Sequence, residues 1–271
     1  MAEHPAPPHP VIETPSALDS FNALQERLAG RTPVLFLDYD GTLTPIVERP
    51  DLAVLTDEAR AVVDTLARAL PVAVVSGRDR ADVERLVGLD SLIYAGSHGF
   101  DVTVPGQGAL DHGAGDFTAL LDGVEAQLHE RLDPLPGALI ERKKFSIAAH
   151  YRQVAEADYA AFRAALDAIL ATTAGIKEKS GKKVFELQPD IDWDKGKCVL
   201  FLLDALGLDD ADHVPMFFGD DVTDEDAFRA LHQRGVCVVV ADDEDAGRVT
   251  AAPFRVANPD QLIALLRRLT P

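Results

Sequence analysis

Short apolar runs alternate with stretches of helical period along most of the chain. Residues 34–37 (Val-Leu-Phe-Leu), 72–75 (Val-Ala-Val-Val) and 92–95 (Leu-Ile-Tyr-Ala) are continuous apolar runs of strand length. Between the first two, residues 56–70 bring Ala59, Val62, Val63, Leu66 and Leu70 onto one face of a helix. After the middle of the chain the alternation resumes: a helix over 197–206 stopped by Gly207, a strand over 214–218, a helix over 224–231, a strand over 236–240 and a helix over 259–269. Unbroken Val/Ile/Leu/Phe strands are buried on both faces, and strands separated by helices run parallel. The pattern therefore predicts an α/β fold, a doubly wound parallel sheet with helices on both sides.

From about residue 106 to residue 189 the pattern is different. It predicts helices over 116–132, with Phe117, Leu120, Leu121, Val124 and Leu128 inward, and over 156–170, with strands inside 139–152 and over 184–187. Helices and alternating strands of this kind form an α+β unit. The predicted division is a core of 28–105 and 190–271, an insert of 106–189, and a tail with a first helix over 1–27. The tail carries Pro5, Pro7, Pro8, Pro10 and Pro15 and lacks a basic start or an apolar segment, so it reads as mobile and not as a leader.

Charge sharpens the picture. With 271 residues and a net charge of −19, the chain as a whole repels nucleic acid and anionic membranes. Yet all eight lysines lie between Lys143 and Lys197, which places the expected anionic ligand on or beside the insert. Cys198 and Cys237 both sit inside apolar runs and supply neither a disulfide framework nor a zinc site. The longest apolar runs, such as 198–203, fall far short of the roughly 18 residues a membrane span needs. A cytoplasmic location is expected, and no obligate protein partner is evident.

Three strand-like runs end in polar groups. Residues 34–37 deliver Asp38-Tyr39-Asp40-Gly41-Thr42, residues 72–75 deliver Ser76-Gly77-Arg78, and residues 214–218 deliver Gly219-Asp220-Asp221-Val222-Thr223-Asp224. In an open α/β sheet ligands bind outside the carboxyl ends of strands, so the three tips should converge. Five carboxylates in one pocket repel each other unless a hard cation offsets them, and an all-oxygen set suits Mg²⁺. One carboxylate can then attack a phosphoryl group, and a second, two residues on, can serve as acid and then as base. Asp38 and Asp40 have that spacing. Ser76 offers a hydroxyl and Lys195 a positive charge to the phosphoryl oxygens. A phosphate-binding P-loop at 175–183 fails on spacing, and no Gly-x-Gly-x-x-Gly follows a strand.

These motifs, in this order, resemble the four motifs of the haloacid dehalogenase superfamily. The resemblance implies that Asp38 is the nucleophile, Asp40 the general acid/base, and Ser76 and Lys195 the phosphate binders. It implies that Asp220, the Asp38 side chain and the Asp40 carbonyl hold Mg²⁺, with Asp221 and Asp224 in or next to that shell. Within the insert, Glu141-Arg142-Lys143, His150-Tyr151-Arg152 and Gly181-Lys182-Lys183-Val184-Phe185-Glu186 resemble the cap motifs of trehalose-6-phosphate phosphatases, as does the run from Gly219 to Phe228. Strand parity puts His150 with Arg152, Lys182 with Glu186, and Glu141 with Lys143, mixed acids and bases of the kind that can hydrogen-bond a polyol. The resemblance implies that these six, with Arg78, bind a sugar phosphate beneath a mobile cap. Gln188 departs from the family's expected Arg. His98 stands at the passage from core to insert, where substrate contact and a turn are equally expected. The alternatives are a phosphatase of another sugar phosphate such as sucrose phosphate, a sugar phosphomutase, and a catalytically silent sensor.

Overall fold

A computed structural model describes residues 8–47, 49–110, 115, 117–181, 183–245 and 247–270. The chain divides into two compact units, Met1–His112 with Trp193–Pro271, and Gly113–Asp192.

In the first unit one eight-stranded sheet carries the fold. Its central strands are β2 (Thr32–Leu37), β3 (Val72–Val75), β4 (Ile93–Gly96), β11 (His213–Gly219), β12 (Val236–Val240) and β14 (Phe254–Val256), all parallel, in the order β14-β12-β11-β2-β3-β4. Alternate residues of these strands face two separate cores. Leu35, Leu37, Val72, Val74, Met216, Phe218 and Val238 pack against helices α1 (Phe21–Leu28), α2 (Asp57–Ala67), α3 (Arg80–Val87) and α8 (Pro259–Arg268). On the other face Val34, Phe36, Ala73, Val75, Phe217, Cys237 and Val239 pack against α6 (Lys195–Ala205) and α7 (Asp224–Leu231). Helices on both faces make it the doubly wound α/β sheet that the apolar runs predict. Thr56 caps α2 by accepting from the Ala59 amide, Asp194 caps α6 through Lys197, and Asn258 caps α8 through Gln261. Among the described residues no helix is long and apolar enough to cross a membrane. Both cysteines are free and buried.

Two features depart from the sequence pattern. The parallel sheet continues into antiparallel strands β5 (Asp101–Val104) and β6 (Gly108–Leu110), too short and too close to glycines to register as separate runs. Residues 8–20, expected as part of a mobile tail, are fastened to the core. Strand β1 (His9–Pro10) pairs with β13 (Val249–Thr250), and Val11, Ala17 and Leu24 are fully buried. Scattered apolar residues among prolines do not look like an element, but Val11 and Ala17 fill core positions.

In the second unit an antiparallel sheet of order β7-β8-β10-β9 comprises β7 (Leu139–Arg142), β8 (Ile147–His150), β10 (Val184–Pro189) and β9 (Ile176–Gly181). Helices α4 (Thr118–Leu132) and α5 (Tyr159–Thr172) cover one face, where Ile147, Ala149, Phe185 and Leu187 meet Leu121, Leu128, Phe162 and Leu166. Strand β9 was not expected, because Lys177, Glu178 and Lys179 form no apolar run. Its register with β10 makes Lys179 the Cα partner of Glu186 and Glu178 that of Leu187.

Candidate active site

The switch point of a doubly wound sheet lies where chain connections leave in opposite directions, here between β2 and β11. The two strands end together, the Asp38 amide donating to the Phe218 carbonyl at 2.9 Å. Asp38 follows β2, and Asp220 and Asp224 lie just beyond β11. Asp38, Asp220 and Asp224 each offer a carboxylate oxygen, and these oxygens lie within 4.8 Å of one another. A tight turn follows Asp38, with the amides of Leu43 and Thr44 both donating to the Tyr39 carbonyl at 3.0 Å. Gly41 sits in it at φ +78°, and a Cβ there would come 2.1 Å from Asp220 Oδ2. No L side chain fits: the backbone is left-handed and the space is the carboxylate's own. Thr42 then donates its hydroxyl to Asp220 Oδ1 at 3.1 Å.

Lys195 and Asp224 are the first residues of α6 and α7. Gly196 permits the two helix starts to meet, since a Cβ there would stand 2.5 Å from the Asp226 carbonyl. Lys195 Nζ consequently lies 2.6 Å from Asp224 Oδ1 and 3.0 Å from Asp38 Oδ1, with its side chain only 2% exposed. Asp224 Oδ2 accepts from the amides of Asp220 at 3.0 Å and Asp221 at 2.9 Å. The helix expected to begin at 197 in fact begins two residues earlier, and those two residues place the lysine.

The electrostatics follow from burial. Burial raises the Asp38 carboxyl well above its usual range and Asp224 adds to this, against the pull of Lys195. Asp220 is pushed up to about 7 by burial and then by Asp224, with the Thr42 hydroxyl working the other way. Burial alone would lower the Lys195 amine, but Asp224 and Asp38 outweigh it and hold the ammonium charged. One ammonium paired with buried Asp38 and Asp224, with half-buried Asp220 beside them, does not offset three carboxylates. A donor set of hard oxygens with surplus negative charge fits Mg²⁺.

Around this group stand the other expected residues. Arg78 forms a bidentate pair with Asp40, both N···O distances 2.6 Å, and reaches Asp82 at 3.1 Å. Ser76 is buried and its Oγ accepts from the Arg78 amide at 3.2 Å. Asp221 is exposed, its Oδ1 accepts from the neighbouring Val222 amide at 2.6 Å, and it lies outside the group of three. The turn after Asp220 faces it outward. His98 takes a left-handed backbone at φ 58°, and its amide donates to the Ser76 carbonyl at 2.8 Å.

In the second unit Glu141, His150 and Glu186 stand within β7, β8 and β10, whereas Lys143 and Arg152 lie just beyond the strand ends. Glu141, Ala148, Glu186 and Lys179 are successive Cα partners across the sheet, so they share one face, opposite the helices. Glu186 Oε1 accepts from the Ser146 hydroxyl at 2.6 Å and from Lys143 Nζ at 3.2 Å. Burial would raise Glu186, but Lys143, the Ser146 hydroxyl and Lys179 outweigh it and lower the carboxyl below its ordinary value. His150 Nε2 lies 2.9 Å from Glu141 Oε2, and Arg152 is exposed in the turn beyond β8. Lys182 lies outside the described residues.

A model of the trehalose-phosphatase family matches residues 36–260. The chain belongs to the trehalose-phosphatase family. A trehalose-phosphate phosphatase of Mycobacterium marinum is 41% identical over 95% of this chain and 66% of its own length. A Mycobacterium tuberculosis protein named as an uncharacterized glycosyl hydrolase is 42% identical over 94% of this chain but only 19% of its own length. The chain thus spans about a fifth of the length of one of these curated relatives and about two thirds of the other. The crystal structure of trehalose-6-phosphate phosphatase from Aspergillus fumigatus (crystal form 3) superposes with a TM-score of 0.69 and 27% identity, covering 95% of this chain and 98% of that one. Within the family fold, Asp82, Ser146 and Lys179 are contacts that lie outside the motifs, while Thr42 lies in the first motif without a role assigned to it. Only Asp82 had an audible signal, its i,i+4 spacing from Arg78 at the start of α3.

Proposed function

We propose that this chain is a Mg²⁺-dependent phosphatase that hydrolyses trehalose 6-phosphate to trehalose and phosphate through an aspartyl-phosphate on Asp38. The observation that carries the proposal is the cluster of Asp38, Asp220 and Asp224, the first and last paired with buried Lys195, at the switch point of a chain in the trehalose-phosphatase family. Asp38, Asp220 and the Asp40 carbonyl would hold the ion. Asp224 is engaged by Lys195 and two backbone amides, which makes it a support for the other two. When bound, Mg²⁺ neutralises charge between a carboxylate nucleophile and a phosphate dianion.

An Asp38 carboxylate oxygen attacks phosphorus, and the bond from phosphorus to the sugar oxygen breaks. Asp40 delivers its proton to that leaving oxygen. Asp40 then takes a proton from water, whose oxygen attacks phosphorus, releasing phosphate and restoring Asp38. Lys195 and Ser76 hold the phosphoryl oxygens, and Lys195 keeps Asp38 oriented. Both Asp40 oxygens are held by Arg78, so at least one must be released before Asp40 can donate. A phosphate oxygen is the natural new partner for that guanidinium. The inserted unit acts as a cap over the bound ester. Glu141, His150 and Glu186 on its polar sheet face, with Lys143, Arg152 and Lys182, receive the sugar hydroxyls. A cytoplasmic location suits two buried, unpaired thiols.

The test is acid-quenched labelling with ³²P-trehalose 6-phosphate, run beside a panel of trehalose 6-phosphate, sucrose phosphate and glucose 6-phosphate. Wild type should carry covalent label and release phosphate fastest from trehalose 6-phosphate; Asp38→Asn should carry none and lose at least about a thousand-fold in kcat. Chelation should stop turnover. Label on Asp38→Asn, or faster release from another ester, would overturn the nucleophile or the substrate respectively.

A further inference from the structure

The turn from Asp220 to Glu225 carries the carboxylates of Asp220 and Asp224, and its shape decides where the first of them points. Two of its backbone amides are fixed from inside by Asp224 Oδ2. From outside it is fixed by a residue that no motif contains. One Arg248 guanidinium nitrogen donates to the Asp220 carbonyl, and the other lies 3.6 Å from Glu225 Oε1, with the side chain four-fifths buried. The guanidinium therefore spans both ends of the turn. Its planar fork suits this, because two nitrogens at a fixed angle can meet a carbonyl and a carboxylate together, which a single ammonium cannot.

Arg248 is itself held. Its carbonyl accepts from the Val11 amide at 2.9 Å, and its amide donates to the Asp245 carbonyl at 2.8 Å. The next two residues, Val249 and Thr250, pair with Pro10 and His9. One residue further, the Ala251 amide donates to Glu225 Oε2 at 2.8 Å. The segment thus grips Glu225 from both sides while its arginine grips the peptide of Asp220. The positive charge stands against a dense acidic stretch formed by Asp220, Asp221, Asp224, Glu225 and Asp226.

We infer that Arg248 is a positioning residue for the metal site: it fixes the Asp220 peptide so that the Asp220 carboxylate faces Asp38. The inference rests on the reading of Asp220 as a ligand of Mg²⁺. Partners that orient a ligand from behind commonly account for 10- to 100-fold in metal affinity. The experiment is calorimetric titration of Mg²⁺ alone into wild type, Asp220→Asn, Arg248→Met and Arg248→Lys, without substrate, together with thermal unfolding of each in chelator. Asp220→Asn should lose measurable Mg²⁺ binding. Arg248→Met should weaken it about ten-fold or more, and Arg248→Lys should fall between, since it keeps the charge but loses the fork. If Arg248→Met does not fold, Arg248→Lys carries the test. Wild-type Mg²⁺ affinity in Arg248→Lys and Arg248→Met, whatever their unfolding temperatures, overturns the inference and leaves Arg248 a structural residue. Wild-type affinity in Asp220→Asn instead overturns the proposed metal reading itself.

Discussion

The two compact units present polar groups by opposite means. In the core unit the reactive side chains sit on turns beyond the ends of parallel strands, or on the first residues of helices, and the key ones are buried. Asp224 is 0% exposed and Lys195 3%. In the inserted unit polar groups such as Glu141, Lys179 and Glu186 stand on the strands, on the sheet face away from the helices, and others such as Lys143 stand just past a strand end. They remain partly open, with the Glu186 side chain 22% exposed and Lys143 25%. The comparison teaches where electrostatic energy is concentrated. A strand end can gather charges from elements far apart in sequence and withdraw them from water, which shifts their proton affinities strongly. An open sheet face spreads its charges and leaves them partly hydrated, a setting better suited to exchanging hydrogen bonds with a ligand's hydroxyls.

The largest effect should come from the buried amine. Lys195→Met leaves Asp38 and Asp224 without their counter-charge, which should cost about 3–5 kcal/mol in chelator. The single tryptophan, Trp193, lies two residues away and reports it in urea unfolding. A loss under about 1 kcal/mol, as for an exposed pair, would break the contrast. Next is Gly41→Ala. The added methyl requires Asp220 to move, and with the left-handed backbone this should lower kcat about 100-fold; a kcat within a few-fold of wild type would mean that Asp220 is not held where the turn puts it.

Glu186→Ala tests the sheet face. It should raise KM for trehalose 6-phosphate about 10- to 100-fold, with little change for p-nitrophenyl phosphate, which has no sugar. Equal losses on both esters would assign Glu186 to the fold of its unit and not to recognition. The smallest effect concerns pH. The Glu186 carboxyl lies below its ordinary value of 4.5 in the folded protein. A depressed carboxylate stabilises fully above its unfolded value and loses that contribution as pH falls through its folded one. Lys143→Met should therefore speed amide exchange in β8 and β10 modestly at pH 7, by less than about 1 kcal/mol, and the difference should shrink as pH falls below 4.5 and through the lowered folded value. A difference that persists in acid would trace to packing of the lysine stem.

How legible these regions were follows from the same contrast. The parallel strands announce themselves as unbroken apolar runs, and the residues that end them, Asp38, Ser76 and Asp220, stand out against that background. Register along β8 and β10 was readable in part, because Phe185 and Leu187 alternate with Glu186 and Gln188 and because His150 follows the apolar run 147–149. Other features stayed hidden for physical reasons. Strand β9 is carried by its pairing with β10 and not by its own apolarity. The strap over residues 8–20 contributes isolated core residues without a period. Asp221 looks equivalent to Asp220 in sequence, and only the path of the turn sends one inward and the other to solvent. Arg248 is 28 residues from the carbonyl it binds, and no local pattern links the two.

The two thiols have a practical consequence. Cys198 is pushed up to about 12 by burial, and burial raises Cys237 as well, so at neutral pH neither is a reactive thiolate. Alkylating dyes should pass them by. An engineered surface cysteine on each unit would then take up fluorophores in an otherwise silent background. The native chain thereby serves as its own scaffold for watching, by energy transfer, whether addition of a sugar phosphate changes the separation of the two units.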